Sequence, residues 1–386
     1  MNKPMLSIVV PTKNRHTFLK SFIETIAEFD CTLCEIIIQD NSIEIDGFDT
    51  WLSKRGLPHV RYYNEPIPVP IVVNADRAIL SSIGEYVCFM GDDDSVSRYI
   101  LDLVRHMKEH DIDSARCTKA EYKWPGVVHR AHNFPNLTIP KYSGRITEID
   151  PAHERLKCFR SGAGSLWALP MAYHAIVSRD ILDKVYASTG SFFPGASPDM
   201  ANAIALSYFS RSHVYVDAPF VTSGHSPSSG GGLGARHAHT GKLKDMPHLP
   251  ANIEQIWDAR IPMIWSWCTI WAQSAISAMQ ALGRENDLAE FNFSFLYANF
   301  IHESPRRNPK MVNELKAGRQ WLAILRHIIE IAWTRGRKFI SNFLYTNFSI
   351  TSAQLHKDIP TSHQASLIID ENLYANRNLF AFALTN

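Results

Sequence analysis

The 386-residue chain has almost no excess charge of either sign: 39 Lys and Arg stand against 38 Asp and Glu, a formal +1. A domain dedicated to nucleic acid needs a strongly basic face, so this balance argues against that class. Cysteine is sparse as well. Cys31, Cys34, Cys88, Cys117, Cys158 and Cys268 are scattered through the chain, which fits free thiols in a reducing compartment and not a disulfide framework. Cys31 and Cys34 form a C-x-x-C, but no second pair lies near them, so a structural metal or redox role there is a minor reading. Long apolar runs are also missing. The opening MNKPMLSIVVPTKNR holds only a six-residue apolar run before Pro11, too short for a secretory signal, and an unexported, cytoplasmic protein is expected. Ile261 to Gly283 is free of charge for 23 residues, long enough to span a bilayer. Pro262, Gln273, Gln280 and four hydroxyl residues dilute it, so a buried helix is expected instead. There is no internal repeat, and the one low-complexity tract is a glycine-rich loop.

At this length a larger domain with a smaller appendage is expected. The first hundred residues alternate two periods. LSIVVP (Leu6 to Pro11), CEIIIQD (Cys34 to Asp40), HVRYYN (His59 to Asn64) and EYVCFM (Glu85 to Met90) read as strands buried on both faces. HTFLKSFIETIAEF, FDTWLSK and VNADRAILSSI lie between them at helical spacing. Strand, helix, strand in this rhythm implies an α/β fold, a Rossmann-like, mostly parallel sheet with right-handed crossovers. Ligands of such sheets bind beyond the carboxyl ends of the strands, which puts PTKNR, Asp40 and the run Asp92-Asp93-Asp94 along one rim. Farther on, AYHAIVSRDILDKV reads as a strand passing into a helix, SPDMANAIALSYFS as a helix with Asp199 at or near its start, and HVYVDAPFVTSGH as a strand. SPSSGGGLGARHAHTGK, Ser226 to Lys242, is too glycine-rich to pack alone. It sets the expected domain boundary, 1–242 against 243–386. From Asn252 onward the pattern is mainly helical.

Three adjacent aspartates repel one another, and something must offset that cost. A hard divalent cation such as Mn²⁺ or Mg²⁺ takes oxygen ligands and often only one or two carboxylates. If alternate residues of the loop point the same way, Asp92 and Asp94 face the crevice and Asp93 faces elsewhere. The plainer alternative is an acidic turn leading into the helix near Ser97, where the helix dipole favours negative charge.

Taken together, LSIVVPTKNR, IIIQDNS, NADRAI and GEYVCFMGDDDS resemble the nucleotide-binding half of family 2 inverting glycosyltransferases of the GT-A fold. The resemblance is clear from Met5 to His110, thins toward His225 and does not cover the C-terminal third. It implies that Pro11, Thr12, Asn14 and Arg15 line a nucleotide pocket, that Asp40 accepts a hydrogen bond from the base, and that Arg77 contacts base or diphosphate. It also implies an Asp-x-Asp motif in which Asp92, with Asp93 beside it, meets the donor while Asp92 and Asp94 hold Mn²⁺ or Mg²⁺ on the diphosphate. Asp199 is then the match for the family's base, although Pro198 replaces the acidic residue usual before it. His225 matches a third metal ligand or diphosphate contact of some relatives. Ser228, Ser229, Gly230 to Gly232 and Arg236 could fold over the donor as a lid, or form a linker.

The implied reaction moves a sugar from a nucleotide-diphosphate donor, a UDP-sugar first among them, to a hydroxyl of a glycan or lipid-linked glycan. The helical C-terminal region would serve acceptor, oligomer or membrane contacts. Between Arg306 and Lys338 nine Lys or Arg accompany two Asp or Glu, and WLAILRHIIEIAWTRGRKFISNFLY interleaves them with apolar residues. This suits the anionic inner face of a membrane, or equally a solvated helix face or a contact between copies. Two rivals differ in class. A nucleotidyltransferase should carry a glycine-rich basic loop after its first strand, and PTKNR has no glycine. A non-catalytic binding module would have no use for both the triple Asp and Asp199.

Overall fold

The computed structural model describes residues 3–30, 32–127, 134–229, 240–246, 249–303, 309–318, 320–347 and 353–385, with the side chains of 317 and 338–347 excepted. β1 (Leu6–Thr12), β2 (Cys34–Asp40), β3 (Val60–Asn64) and β4 (Tyr86–Phe89) form the parallel heart of one sheet, in the order β4-β1-β2-β3. Alternate side chains of a strand point to opposite faces, and both faces are covered. Leu6, Ile8 and Val10 pack on one side with Leu19, Phe22, Ile23 and Ile26 of α1 (His16–Ile26). Val9, Ile37 and Val87 pack on the other with Ala75, Ala78 and Ile79 of α3 (Ile71–Leu80), α2 being Phe48–Ser53. The near-continuous apolar runs of the sequence thus reflect strands buried on both sides. The register places Thr12 beside Asp40 and Asp40 beside Asn64 at one edge.

β5 (Ser95–Val96), α4 (Ile100–Glu109), β6 (Ser114–Lys123), β7 (Asn136–Pro140), β8 (Ile146–Ile149), α5 (Pro151–Arg160), β9 (Ala175–Ser178), α6 (Arg179–Thr189), α7 (Pro198–Leu206) and β10 (His213–His225) follow. β9 runs antiparallel between β4 and β6, and β10 pairs in parallel with β6 and antiparallel with β5 and β8. The sheet is therefore mixed on this side. β10 delivers Gly224 against the aspartate loop: a Cβ there would lie 1.7 Å from the carbonyl oxygen of Asp93, so only glycine fits.

A second core gathers α5, α7 and the region from Leu243 to Ile331. The uncharged stretch forms the helix Trp267–Ala281, capped by Ser266, with Ile270, Ala275, Ile276 and Met279 buried. Among the described residues no helix is long and apolar enough to cross a membrane.

The chain does not separate into two cores at Lys242. β11 (Ala353–Lys357) adds an antiparallel edge strand beside β7, and the helix Ser362–Ala375 buries Ala365, Ile369 and Leu373 in the core that holds α1. The Ser362 and Ser21 hydroxyls hydrogen bond at 2.9 Å, and the Thr385 hydroxyl donates to Asp102 of α4 at 2.6 Å.

Candidate active site

The carboxyl ends of β1 and β4 and the start of α7 surround a cavity of about 590 Å³, the size of a small-molecule site. Pro11, Thr12, Arg15, Asp92, Asp93 and Asp199 line it, as do Lys13, Asn74 and Tyr173, which sequence reasoning missed. The α3 residue Asn74 donates at 3.4 Å to the Thr12 carbonyl and at 3.2 Å to that of Gln39, tying β1 to β2 beneath the cavity.

Arg15 resolves the crowding of the acids. Its Nε lies 2.7 Å from Asp92 Oδ1 and its Nη2 2.7 Å from Asp93 Oδ2, so one planar fork spans two carboxylates. Thr12 Oγ1 donates to Asp92 Oδ2 at 2.5 Å, and Ser226 Oγ donates to Asp93 Oδ2 at 2.6 Å. Burial would lower the guanidinium pKa, but Asp92 and Asp93 hold it above its ordinary value. Burial pushes Asp92 up to about 7, against the pull of Arg15, and burial and the charge of Asp94 push Asp93 up too.

Asp94 departs from the expected alternation. It is fully buried and does not line the cavity, which receives the neighbours Asp92 and Asp93 instead. Its Oδ2 accepts from the Gly91 amide at 2.7 Å and from His174 Nε2 at 2.6 Å, and its Oδ1 accepts from the Gly224 amide at 2.8 Å. Burial opposes the charged form, but His174 and the two amides hold the carboxyl below its usual range. Burial lowers the pKa of His174 against the pull of Asp94, and its Nδ1 lies 3.3 Å from Lys119 Nζ. The chain Lys119, His174, Asp94 therefore braces the loop from behind. His174 sits at φ 57° just before β9.

Other expected residues are engaged elsewhere. Asp40 is fully buried, and its oxygens accept from His16, Tyr62 and the amide and hydroxyl of Ser42, leaving no room for a base. Arg77 lies 2.6 Å from Glu65 and does not line the cavity. Asn14, at φ 57°, makes the tight turn after β1: its amide donates to Ser42 Oγ at 2.6 Å and its side chain is exposed. His225 ends β10, where its carbonyl accepts from the Trp124 amide at 3.1 Å. Its ring does not join the acids in a ligand cluster: among the described residues the only such cluster is His106, Glu109 and His110 on α4. Ser229 lines the cavity, whereas Gly230 to Gly232 and Arg236 lie outside the described residues. Asp199 is the second residue of α7, after Ser197 as N-cap and Pro198, and its Oδ1 accepts from the Ser197 hydroxyl and, at 2.8 Å, from the Met200 amide.

For a hard divalent ion, the donor set that fits is Asp92 and Asp93, whose carboxylates front the cavity side by side. Asp94 does not fit, because its oxygens are already wrapped by N–H groups. Arg15 supplies the compensating charge, and an incoming cation would have to share or displace it.

Residues 7–162 match the model of glycosyl transferase family 2. Curated proteins give no match. Among solved structures, S. aureus TarS 1-349 in complex with UDP-GlcNAc is 13% identical, covering 96% of this chain and 92% of its own at a TM-score of 0.48. The mannosyltransferase PcManGT from Pyrobaculum calidifontis, in complex with GDP-Man and Mn²⁺, is 16% identical, covering 86% and 87% at a TM-score of 0.40.

Proposed function

We propose a specific reaction for this chain, a glycosyltransferase whose residues 7–162 belong to glycosyl transferase family 2: transfer of a sugar from a nucleotide-diphosphate donor to an acceptor hydroxyl with inversion at the anomeric carbon. One observation carries the reading. One cavity is lined by the Thr12, Arg15, Asp92 and Asp93 cluster and by Asp199. The cluster suits a diphosphate, and the separate carboxylate suits a proton acceptor.

In this reading Asp199 takes the proton of the acceptor hydroxyl as that oxygen attacks the anomeric carbon. The bond from that carbon to the diphosphate oxygen breaks, and the nucleoside diphosphate leaves with the electron pair. Asp199 is held for the role by the Met200 amide and Ser197 hydroxyl, which fix one oxygen. With a cation on Asp92 and Asp93, Arg15 would be released to offset charge on the diphosphate as it develops. A Mn²⁺ or Mg²⁺ ion held by Asp92 and Asp93 would add Lewis-acid stabilisation of the leaving group. Pro11 and Asn74 also line the cavity. The acceptor is a glycan or lipid-linked glycan hydroxyl.

Incubation of the purified protein with a panel of sugar nucleotides and Mn²⁺ tests this. The expected result is slow release of nucleoside diphosphate from one donor, faster with the right acceptor. Asp199→Asn should lower transfer by about 10²- to 10⁴-fold and leave donor binding intact. Full activity in that variant, or no donor turned over at all, overturns the assignment.

A further inference from the structure

The helix Trp321–Asn347 has two apolar faces, and the protein covers only one. On the inner face Ile324 and Ile331 are buried in the second core. His327 packs there on Phe295 and meets Asn292 at 3.2 Å, and Arg335 meets His302 at 3.1 Å. On the outer face Leu322 is 81% exposed, Ile329 63% and Trp333 70%, with Leu325 at 39% beside them. At the α-helical turn of about 100° per residue, positions 322, 329 and 333 fall within about 40° of one another and span about 16 Å of axis. A helix whose packing stripe is already buried normally turns a polar back to water. This one turns an aligned row of large apolar side chains outward.

The charges along the row have one sign in excess. Arg326 and Arg337 are exposed beside it, and Lys310 and Lys316 stand on the preceding helix Pro309–Ala317. The acids of these two helices are Glu314, exposed, and Glu330, which is 3.1 Å from His327 Nδ1. A second copy of the chain is a poor occupant, because a two-fold contact sets a patch against itself and would bring two surfaces of the same excess positive charge together. A partner that is apolar at depth and anionic at its surface satisfies both features.

We infer that this outer face seats the protein on an anionic phospholipid surface, the helix lying in the interfacial plane with Leu322, Ile329 and Trp333 below the headgroups and Arg326 and Arg337 among them. Spanning is ruled out for this helix, which is not apolar enough over its described length. Trp is well suited to the depth where one side is apolar and the other wet. The inference does not depend on the proposed reaction, because the stripe lies outside the cavity.

Co-sedimentation of the full chain with vesicles of 30% phosphatidylglycerol in phosphatidylcholine, against pure phosphatidylcholine, tests it. Binding to the anionic vesicles is expected, weakened by salt. Arg326→Gln and Arg337→Gln should each weaken it about fivefold, and the pair Ile329→Asp, Trp333→Asp by tenfold or more. The pair should melt as the wild type does and hydrolyse donor at the wild-type rate. Absence of binding overturns the inference, as does equal binding to neutral vesicles. A concentration-dependent dimer in sedimentation equilibrium that Trp333→Asp abolishes, without vesicle binding, also overturns it and assigns the face to a second copy.

Discussion

Asp92, Asp93 and Asp94 are one letter repeated in the sequence and three separate situations in the molecule. Two front the cavity and share Arg15, and the third is sealed behind it. Removing Asp94 strands the His174 N–H and two amides in a dry site. Asp94→Ala should therefore cost about 3 kcal/mol or more of stability, read as a shift of the urea midpoint. Asp92→Asn keeps the hydrogen bond from Thr12 and should leave the midpoint within about 1 kcal/mol while reducing donor turnover. Equal losses of stability in the two variants would contradict the division. Gly224→Ala forces the aspartate loop away from β10 and should cost about 1–3 kcal/mol, with turnover falling alongside. The rim positions Thr12, Arg15, Asp92 and Asp199 were legible because strand ends and helix starts leave marks in a sequence. The role of His174 was not, because its left-handed backbone and its reach to Asp94 follow from where β9 meets β4. Asp40 was legible as a rim residue, but its enclosure depends on His16 and Tyr62, which arrive from two other elements.

At the scale of elements, strands buried on both faces were the easiest to read: Cys34–Asp40 and His213–His225 emerge with the expected bounds. β11 was missed because AQLHK pairs along one side only and leaves Gln354, Leu355 and Lys357 exposed, so it has no buried run to betray it. The helix Ser362–Ala375 was expected as part of a separate domain but docks on α1, and it brings in a titratable group. Burial pushes Asp370 up to about 6, although the Ser97 hydroxyl, 2.5 Å away, favours its charged form. A carboxyl whose folded pKa lies above its unfolded value stabilises the fold fully below about pH 4, and that contribution is lost as the pH rises through about 6. The loss amounts to about 3 kcal/mol at most. Stability measured by denaturant at pH 4.5 and 7.5 should show it, and Asp370→Asn should flatten the difference.

At the scale of the whole molecule, the sheet was legible as α/β and its rim as the place for a ligand, but its closure was not. Ala365, Ile369, Leu373 and Leu384 complete the core begun by Leu6 and Ile8. A chain cut before Ala353 should lose cooperative thermal unfolding and near-ultraviolet circular dichroism instead of yielding an intact N-terminal enzyme. A sharp melting transition in that truncation would show that the tail is dispensable. Ser21 and Ser362 meet across 341 residues of chain. A ribosome has hundreds of codons still to translate when the first of these serines emerges, so the nascent sheet waits with an open apolar berth, a surface prone to aggregation. Cooler, slower expression should raise the soluble yield.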